Sequence, residues 1–104
     1  MDQKDNYVRQ YMVEFEVPLP LSEDLLDMIP EQREAIDQLF TSGKLLSYSL
    51  SSDRSRLWAI MSASSESELI MHIDRLPMTP FMDYDYQELM FYNTVAIMPS
   101  MSLN

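Results

Sequence analysis

The sequence predicts one α+β domain in which two helices cover one face of a four-stranded antiparallel sheet. Segments in which apolar and polar residues alternate are typical of strands, and segments with apolar residues three or four positions apart are typical of helices. Both kinds occur here, in the order strand, helix, strand, strand, helix, strand. The predicted segments are 11–17, 22–42, 45–50, 56–62, 65–76 and 82–89.

The first strand is predicted from the alternation between Tyr11 and Val17. Its odd-numbered residues are apolar, whereas its even-numbered residues are Met12, Glu14 and Glu16. Successive side chains of a strand point to opposite faces of the sheet. The two glutamates are therefore expected to share one face, opposite the apolar set.

Both helices carry terminal signals. Ser22 is a suitable N-cap for the first helix, and Gly43 lies where its C-cap is expected. Pro30 lacks an amide hydrogen, so it must either kink this helix or begin its main part. The second helix opens with capping-box spacing, because Glu68 follows Ser65 by three residues.

The two middle strands are expected to form a hairpin. Strands 45–50 and 56–62 are separated by a segment that contains Ser51-Ser52-Asp53, whose composition suits a tight turn. With right-handed crossovers, the order βαββαβ places the first strand at the centre of the sheet and both helices on one face. This is the ferredoxin-like arrangement.

The sheet face without helices needs a partner, because one layer of helices cannot bury both sides of a sheet. The residues expected to supply its apolar area are Met12, Trp58 or Leu57, and Tyr84. An apolar patch of that size is unusual on a monomer, so the sequence predicts a homodimer or a larger ring. The tail, 91–104, lacks clear periodicity and is expected to pack at a subunit interface.

The length of 104 residues fits a single domain, 1–104. We expect a frayed N-terminus at 1–6, a core at 7–90 and the tail at 91–104. No apolar run approaches the roughly 20 residues of a membrane-spanning helix. The polar start also lacks the apolar region of a secretory signal, so a cytoplasmic protein is expected.

Composition excludes several classes of partner and cofactor. A net charge of −10 opposes binding to nucleic acid or to an anionic membrane, because both interactions depend on Lys and Arg. The chain has no cysteine and therefore no disulfide, thiolate nucleophile or cysteine-ligated zinc. Gly43 is the one glycine, which excludes the glycine-rich loops that hold nucleotide phosphates. No cofactor is expected.

The segment Leu76-Pro77-Met78-Thr79-Pro80-Phe81-Met82-Asp83 is similar to the Leu-Pro-x-x-Pro-Tyr/Phe-Met-Asp segment of muconolactone isomerases. Val17-Pro18-Leu19-Pro20 after the first strand and Glu31 to Gly43 around the first helix fall in register with the same family. The resemblance covers roughly residues 11 to 90. It implies a dimeric α+β barrel in which two sheets pack face to face, and a cofactor-free isomerase that moves a proton within an anionic lactone.

Glu14 and Glu16 are the candidate catalytic carboxylates. A partly buried carboxylate can act as a general base next to a carbonyl group. The alternative is an ion pair with Arg56 on the neighbouring third strand, which is otherwise the candidate for binding an anionic substrate. An anionic lactone would meet two glutamates at this position, which disfavours it by about 1 to several kcal/mol at intermediate dielectric.

Aromatic side chains are the remaining candidates. Tyr48 could donate a hydrogen bond to substrate, and Trp58 and Tyr84 could form walls of a pocket for a small cyclic organic ligand. The alternative for each is plain packing in a core or interface. No metal site is expected, since Asp83 and Asp85 supply too few carboxylates for a hard cation. His72 is expected on the polar side of the second helix.

Three functions follow. The first is a muconolactone isomerase-like, cofactor-free isomerase of small lactones, or a diverged relative with an altered substrate. The second is a non-catalytic module of the same fold that binds a small ligand or serves as a structural dimer. The third is a cofactor-free monooxygenase, since one fold supports many reactions. The acidic first strand favours weak or absent turnover of muconolactone.

Overall fold

A computed structural model of the chain describes residues 8–90. The strands and helices follow the predicted order. They are β1 Arg9–Glu16, α1 Glu23–Asp27, α2 Ile29–Thr41, β2 Leu45–Leu50, β3 Arg56–Ala63, α3 Glu66–Asp74 and β4 Asp83–Glu88, with a 3-10 turn at Thr79–Phe81 before β4. The segments expected to be a frayed start and an interface tail lie outside the described residues.

The four strands form one antiparallel sheet in the order β2-β3-β1-β4. β1 is central, as the order of elements predicts, and β2 and β4 are the edges. The α+β, ferredoxin-like fold is therefore confirmed. Within residues 8–90, no helix has both the length and the hydropathy needed to cross a membrane.

The first predicted helix is two helices. α1 begins after Ser22, whose hydroxyl accepts a hydrogen bond from the amide of Leu25 at 3.2 Å, and it ends at Asp27. Pro30 then lies in the first turn of α2, where a missing amide hydrogen costs nothing because first-turn amides have no partner within the helix. Of the two alternatives for Pro30, beginning the main helix is the correct one.

Gly43 ends α2 in the left-handed conformation that a C-terminal cap requires. Its φ is +76°, and its amide donates to the carbonyl of Phe40 at 3.0 Å. The next amide, of Lys44, donates to the carbonyl of Leu39 at 2.9 Å. These bonds satisfy carbonyls that would otherwise be left unpaired at the end of the helix, and they turn the chain directly into β2.

The core lies between the sheet and the helices. Tyr11, Val13 and Phe15 of β1 are at most 1% exposed, and Leu69 and Ile73 of α3 are completely buried against the same layer. The predicted alternation of β1 is therefore confirmed, since Met12 and Glu16 are exposed on the opposite face. One buried layer on this side of the sheet holds the described core cluster, whereas Ile60, at 9% exposed, is buried on the opposite face.

The face of the sheet that no helix covers, which we call the bare face, carries different side chains from those expected. Trp58 lies there, opposite Glu14 in register, and Met12 is its neighbour across the strands. Leu57 and Tyr84 are instead both in register with Phe15, so their side chains lie on the helix-covered face. Assigning Tyr84 to the bare face was wrong, because the register of β4 against β1 pairs it with a core position.

The buried contacts of α3 should dominate its contribution to stability. Leu69→Ala removes a fully buried side chain, so we expect a loss of about 2 to 5 kcal/mol in the free energy of unfolding. Met71→Ala, two residues along, removes a side chain that is 58% exposed and should change stability by no more than about 0.5 kcal/mol. Urea unfolding of both variants measures the difference, and equal losses would contradict this description of the core.

Candidate functional site

The bare face of the sheet carries a cluster of charges at one end. Glu14 is in register with Asp85 on one side and with Trp58 on the other, and Glu16 is in register with Asp83 and Arg56. We call these residues the acidic face: Glu14, Glu16, Arg56, Asp83 and Asp85. They border a shallow depression of about 260 Å³. Like charges directly opposite each other destabilise neighbouring strands, so the arrangement costs stability.

Arg56 is the cation of the acidic face. Its Nη1 lies 3.3 Å from Oε2 of Glu14 and 3.2 Å from Oε2 of Glu16. All three side chains are about half exposed, at 43 to 56%. Exposed pairs of this kind contribute about 0 to 1 kcal/mol each, so the guanidinium organises the two carboxylates more than it stabilises the fold. Of the two interpretations of Glu14 and Glu16, a general base or an ion pair with Arg56, the structure has the ion pair.

Trp58 and Met12 form an apolar patch beside the acidic face. Trp58 is 38% exposed and Met12 is 36% exposed, although both lie in the middle of the sheet. Ile60, in register with Met12, has its side chain on the same face. The bare face therefore combines an apolar centre with one strongly acidic end.

Tyr48 lies on the other side of the sheet from Glu14. It is in register with Ala59, which is a buried core position, whereas Glu14 is in register with Trp58. Tyr84 also has its ring in the core layer, with its centroid 5.6 Å from that of Phe15. Within one chain, the predicted catalytic and binding residues thus form two groups separated by the thickness of the sheet.

Tyr48 lines a cavity of about 630 Å³ between the sheet, α1, α2 and the loop 17–21, whereas Tyr84 is not part of its lining. We call this the helix-side cavity. Its walls are largely apolar and include Leu21, Ile29, Ile36 and Leu57. The volume falls in the range of small-molecule pockets, about 300 to 1,000 Å³. Tyr48 is the sequence-predicted site residue that reaches it.

Gln32 is a residue of this cavity that the sequence patterns did not single out. It is 5% exposed, and its Oε1 accepts a hydrogen bond from the amide of Met78 at 3.0 Å. Its Nε2 lies 3.5 Å from the hydroxyl of Tyr48, which is a long and weak contact. The available signal was its spacing, because position 32 precedes the buried Ile36 by four residues and so shares the apolar face of α2.

Tyr48 is a proton donor in this environment. Burial raises the pKa of its hydroxyl above the usual 10, and the hydrogen bond from Gln32 opposes this only in part. The phenol is therefore neutral at physiological pH. It accepts from Gln32, and within residues 8–90 its own O–H has no acceptor. Together the two side chains offer hydrogen-bond donors to an acceptor on a bound molecule.

A separate polar cluster surrounds Glu68 on α3. Its carboxylate accepts hydrogen bonds from the amide of Ser64 at 2.8 Å and from the Ser64 hydroxyl, and it lies 3.2 Å from Nε2 of His72 and 3.7 Å from Nζ of Lys44. The hydrogen bonds from Ser64 lower the pKa of Glu68 to about 2. The carboxylate lies between serine and histidine, whereas a catalytic triad needs the histidine in the middle. The cluster fixes the start of α3.

His72 is buried, at 3% exposed, and its expected position on the polar side of the helix was wrong. It follows Leu69 by three residues, which puts it on the same helical face as Ile73 and Leu76. Burial lowers the pKa of His72 below its usual 6.5, although contact with Glu68 partly opposes the shift. Nδ1 is buried without a hydrogen-bond partner within the described residues.

The helix-covered sheet, its bare acidic face and its helix-side cavity define a small α+β sheet protein of the ferredoxin-like class. The sequence matches the muconolactone delta-isomerase family over residues 10–94, and the chain belongs to that family. The resemblance seen in the proline-containing segment before β4 is therefore confirmed. Comparison with curated proteins gave no significant match. Within residues 8–90, no group of three or more histidine or acidic side chains could hold a metal ion.

The burial of His72 predicts a pH dependence of stability. Because its folded pKa lies below the unfolded value near 6.5, the unfolded chain binds more protons as the pH falls through 6.5, and stability drops. His72→Gln keeps a donor for Glu68 but cannot be protonated. We expect the melting temperature of the variant to fall less than that of the wild type between pH 7.5 and 5.5. Parallel losses in both proteins would contradict this assignment.

Proposed function

We propose that this member of the muconolactone isomerase family is a cofactor-free homodimer that binds a small cyclic organic ligand and turns over muconolactone weakly or not at all. The observation that carries the proposal is the contact of Arg56 with both Glu14 and Glu16. This contact supports a diverged relative, because it pairs the candidate base with the candidate substrate-binding cation.

Proton transfer between lactone carbons needs two groups. A base must approach the acidic C–H, and a donor or cation must stabilise the enolate as it forms. On the acidic face, Arg56 is the cation and it already contacts both glutamates. An anionic substrate would also approach four carboxylates, those of Glu14, Glu16, Asp83 and Asp85. Repulsion and the existing ion pairs both oppose the reaction on muconolactone.

An isomerase of a neutral cyclic carbonyl compound is the second candidate. Trp58 is in register with Glu14 and so supplies an apolar surface beside a carboxylate. A neutral ring could lie against the indole without the repulsion that an anion meets. Glu14 would then act as the base after release from Arg56.

The homodimer is supported by the bare face. Met12 and Trp58 are both more than a third exposed at the centre of a sheet, which favours pairing with a second copy. The acidic face, which carries four carboxylates and one guanidinium, opposes the same pairing through like charge. Association through this face therefore combines apolar attraction with electrostatic repulsion.

This balance predicts a salt-dependent dimer. Light scattering at micromolar concentration should give at least twice the chain mass of 12.2 kDa, and the dissociation constant should fall as NaCl rises from about 20 to 500 mM because salt screens the repulsion. Trp58→Asp should weaken the dimer, whereas the matched change Leu50→Asp, at an exposed leucine on the helix side of β2, should not. A 12.2 kDa species under all conditions would refute the dimer.

The catalytic part of the proposal predicts little or no muconolactone turnover by the purified protein. Measured rates of wild type and Glu14→Gln should be similarly low, since the base is already engaged by Arg56. Asp85→Asn, at the position paired with Glu14, serves as a control for the loss of one negative charge from the same face. Turnover at ordinary enzymatic rates, of about 1 to 1,000 per second, that collapses in Glu14→Gln alone would overturn the proposal and assign Glu14 as the base.

A further inference from the structure

We infer that the bare face is a docking surface for a second, different α+β chain whose own uncovered sheet face is basic. The inference rests on the proposed pairing of this face, and it adds the chemistry of the partner that the face selects. The homodimer is then the weaker of two assemblies that use the same surface.

Two carboxylates of the acidic face have no cation beside them. Arg56 contacts Glu14 and Glu16, at 3.3 and 3.2 Å. Asp83 and Asp85, on the neighbouring edge strand β4, are exposed and form no ion pair within residues 8–90. They are therefore available to lysine or arginine side chains of another chain.

These carboxylates by themselves destabilise the sheet that carries them. Glu14 is directly opposite Asp85, and Glu16 is directly opposite Asp83. The Cβ atoms of such pairs lie about 4.5 to 5.5 Å apart, where like charges repel. Cations on a docked chain would lie close to both members of each pair and replace this repulsion with attraction.

The negative charge is confined to one end of the bare face. The other end carries neutral polar residues, since Gln10 is in register with Ser62 and Gln87 is in register with Met12. A partner that matches this surface therefore has its cations at one end of its own face. This arrangement fixes the orientation of the partner as well as its charge.

The apolar centre supplies the contact that does not depend on charge. Trp58 is 38% exposed and Met12 is 36% exposed in the middle of the sheet. Tryptophan is among the side chains that contribute most to protein–protein binding, and an apolar centre with a charged border is the usual composition of an interface. A flat sheet face packs well against a second sheet face, so the partner is expected to present one.

A second identical copy matches the apolar centre but not the charges. Self-pairing would bring two sets of four carboxylates and one guanidinium into a single interface. Like charges across an interface select against the partner that carries them, whereas opposite charges favour association. A basic sheet face therefore fits this surface better than the protein's own acidic one.

The test uses a copy of the full chain in which the sign of the charge on the bare face is reversed. Its three substitutions are Glu14→Lys, Asp83→Lys and Asp85→Lys. The control copy undergoes the same change in net charge at three exposed positions of α2. Its substitutions are Glu31→Lys, Glu34→Lys and Asp37→Lys. Wild type with a fluorescent label at its N-terminus is titrated with each copy, and fluorescence anisotropy gives the dissociation constants.

We expect the reversed copy to bind wild type at least about tenfold more tightly than wild type binds itself, in about 20 mM NaCl. Raising NaCl to about 500 mM should weaken this complex, because salt screens the attraction. The same change should strengthen the homodimer, in which the charges repel. The control copy should bind within about threefold of wild type, because its bare face is unchanged.

Trp58→Ala in the labelled chain locates the complex. Removing the indole from the centre of the bare face should weaken binding of the reversed copy about tenfold or more. Met71→Ala, at a side chain of α3 that is 58% exposed, is the matched control and should leave binding unchanged.

A reversed copy that binds no more tightly than wild type, or no more tightly than the control copy, would overturn the inference. Strengthening of the complex by salt, or binding that Trp58→Ala leaves unchanged, would overturn it too. If the reversed copy does not fold, a copy with Asp83→Lys and Asp85→Lys alone keeps the contacts of Arg56 and should still bind about threefold more tightly than wild type.

The homodimer is judged by a separate measurement. Absence of self-association by wild type at every salt concentration would refute the proposed homodimer, while tight binding of the reversed copy would still support the inference. Self-association of wild type as tight as its binding to the reversed copy would support the homodimer and overturn the inference.

Discussion

The central position of β1 is the constraint on which the rest of this protein depends. Its apolar side chains, Tyr11, Val13 and Phe15, are buried under the helices, and this burial commits its alternate residues to the opposite face. A shift of one residue in register would place Glu14 and Glu16 in the core, at a cost far beyond the stability of a small domain. The same burial that stabilises the fold therefore creates the acidic face.

The charges on that face hold the side chains in place but do not prepare them for a reaction. The neighbouring strands bring Asp83, Asp85 and Arg56 beside the two glutamates, and the one guanidinium contacts Glu14 and Glu16. Such an arrangement holds charged groups in place but leaves none of them poised for reaction with an anion. Membership of the muconolactone isomerase family thus accounts for the architecture, while the charges on the face argue for a different ligand.

The opposite side of the sheet has the properties that the acidic face lacks. The helix-side cavity is apolar, carries hydrogen-bond donors from Gln32 and Tyr48, and has Arg33 and Arg54 beside it. Gln32 also ties α2 to the segment before β4 through the amide of Met78, at 3.0 Å. The proline-containing segment that carries the family resemblance therefore helps to shape this cavity.

The sequence by itself determined the elements and the face on which most side chains lie, because the periods of a strand and a helix are local properties of the chain. It also indicated the ends of the helices through Ser22, Pro30 and Gly43. Only the tertiary structure decided that Tyr84 lies in the core and that Tyr48 and Glu14 lie on opposite sides of the sheet. Those relations depend on strand register and on packing between distant segments, which no local pattern specifies.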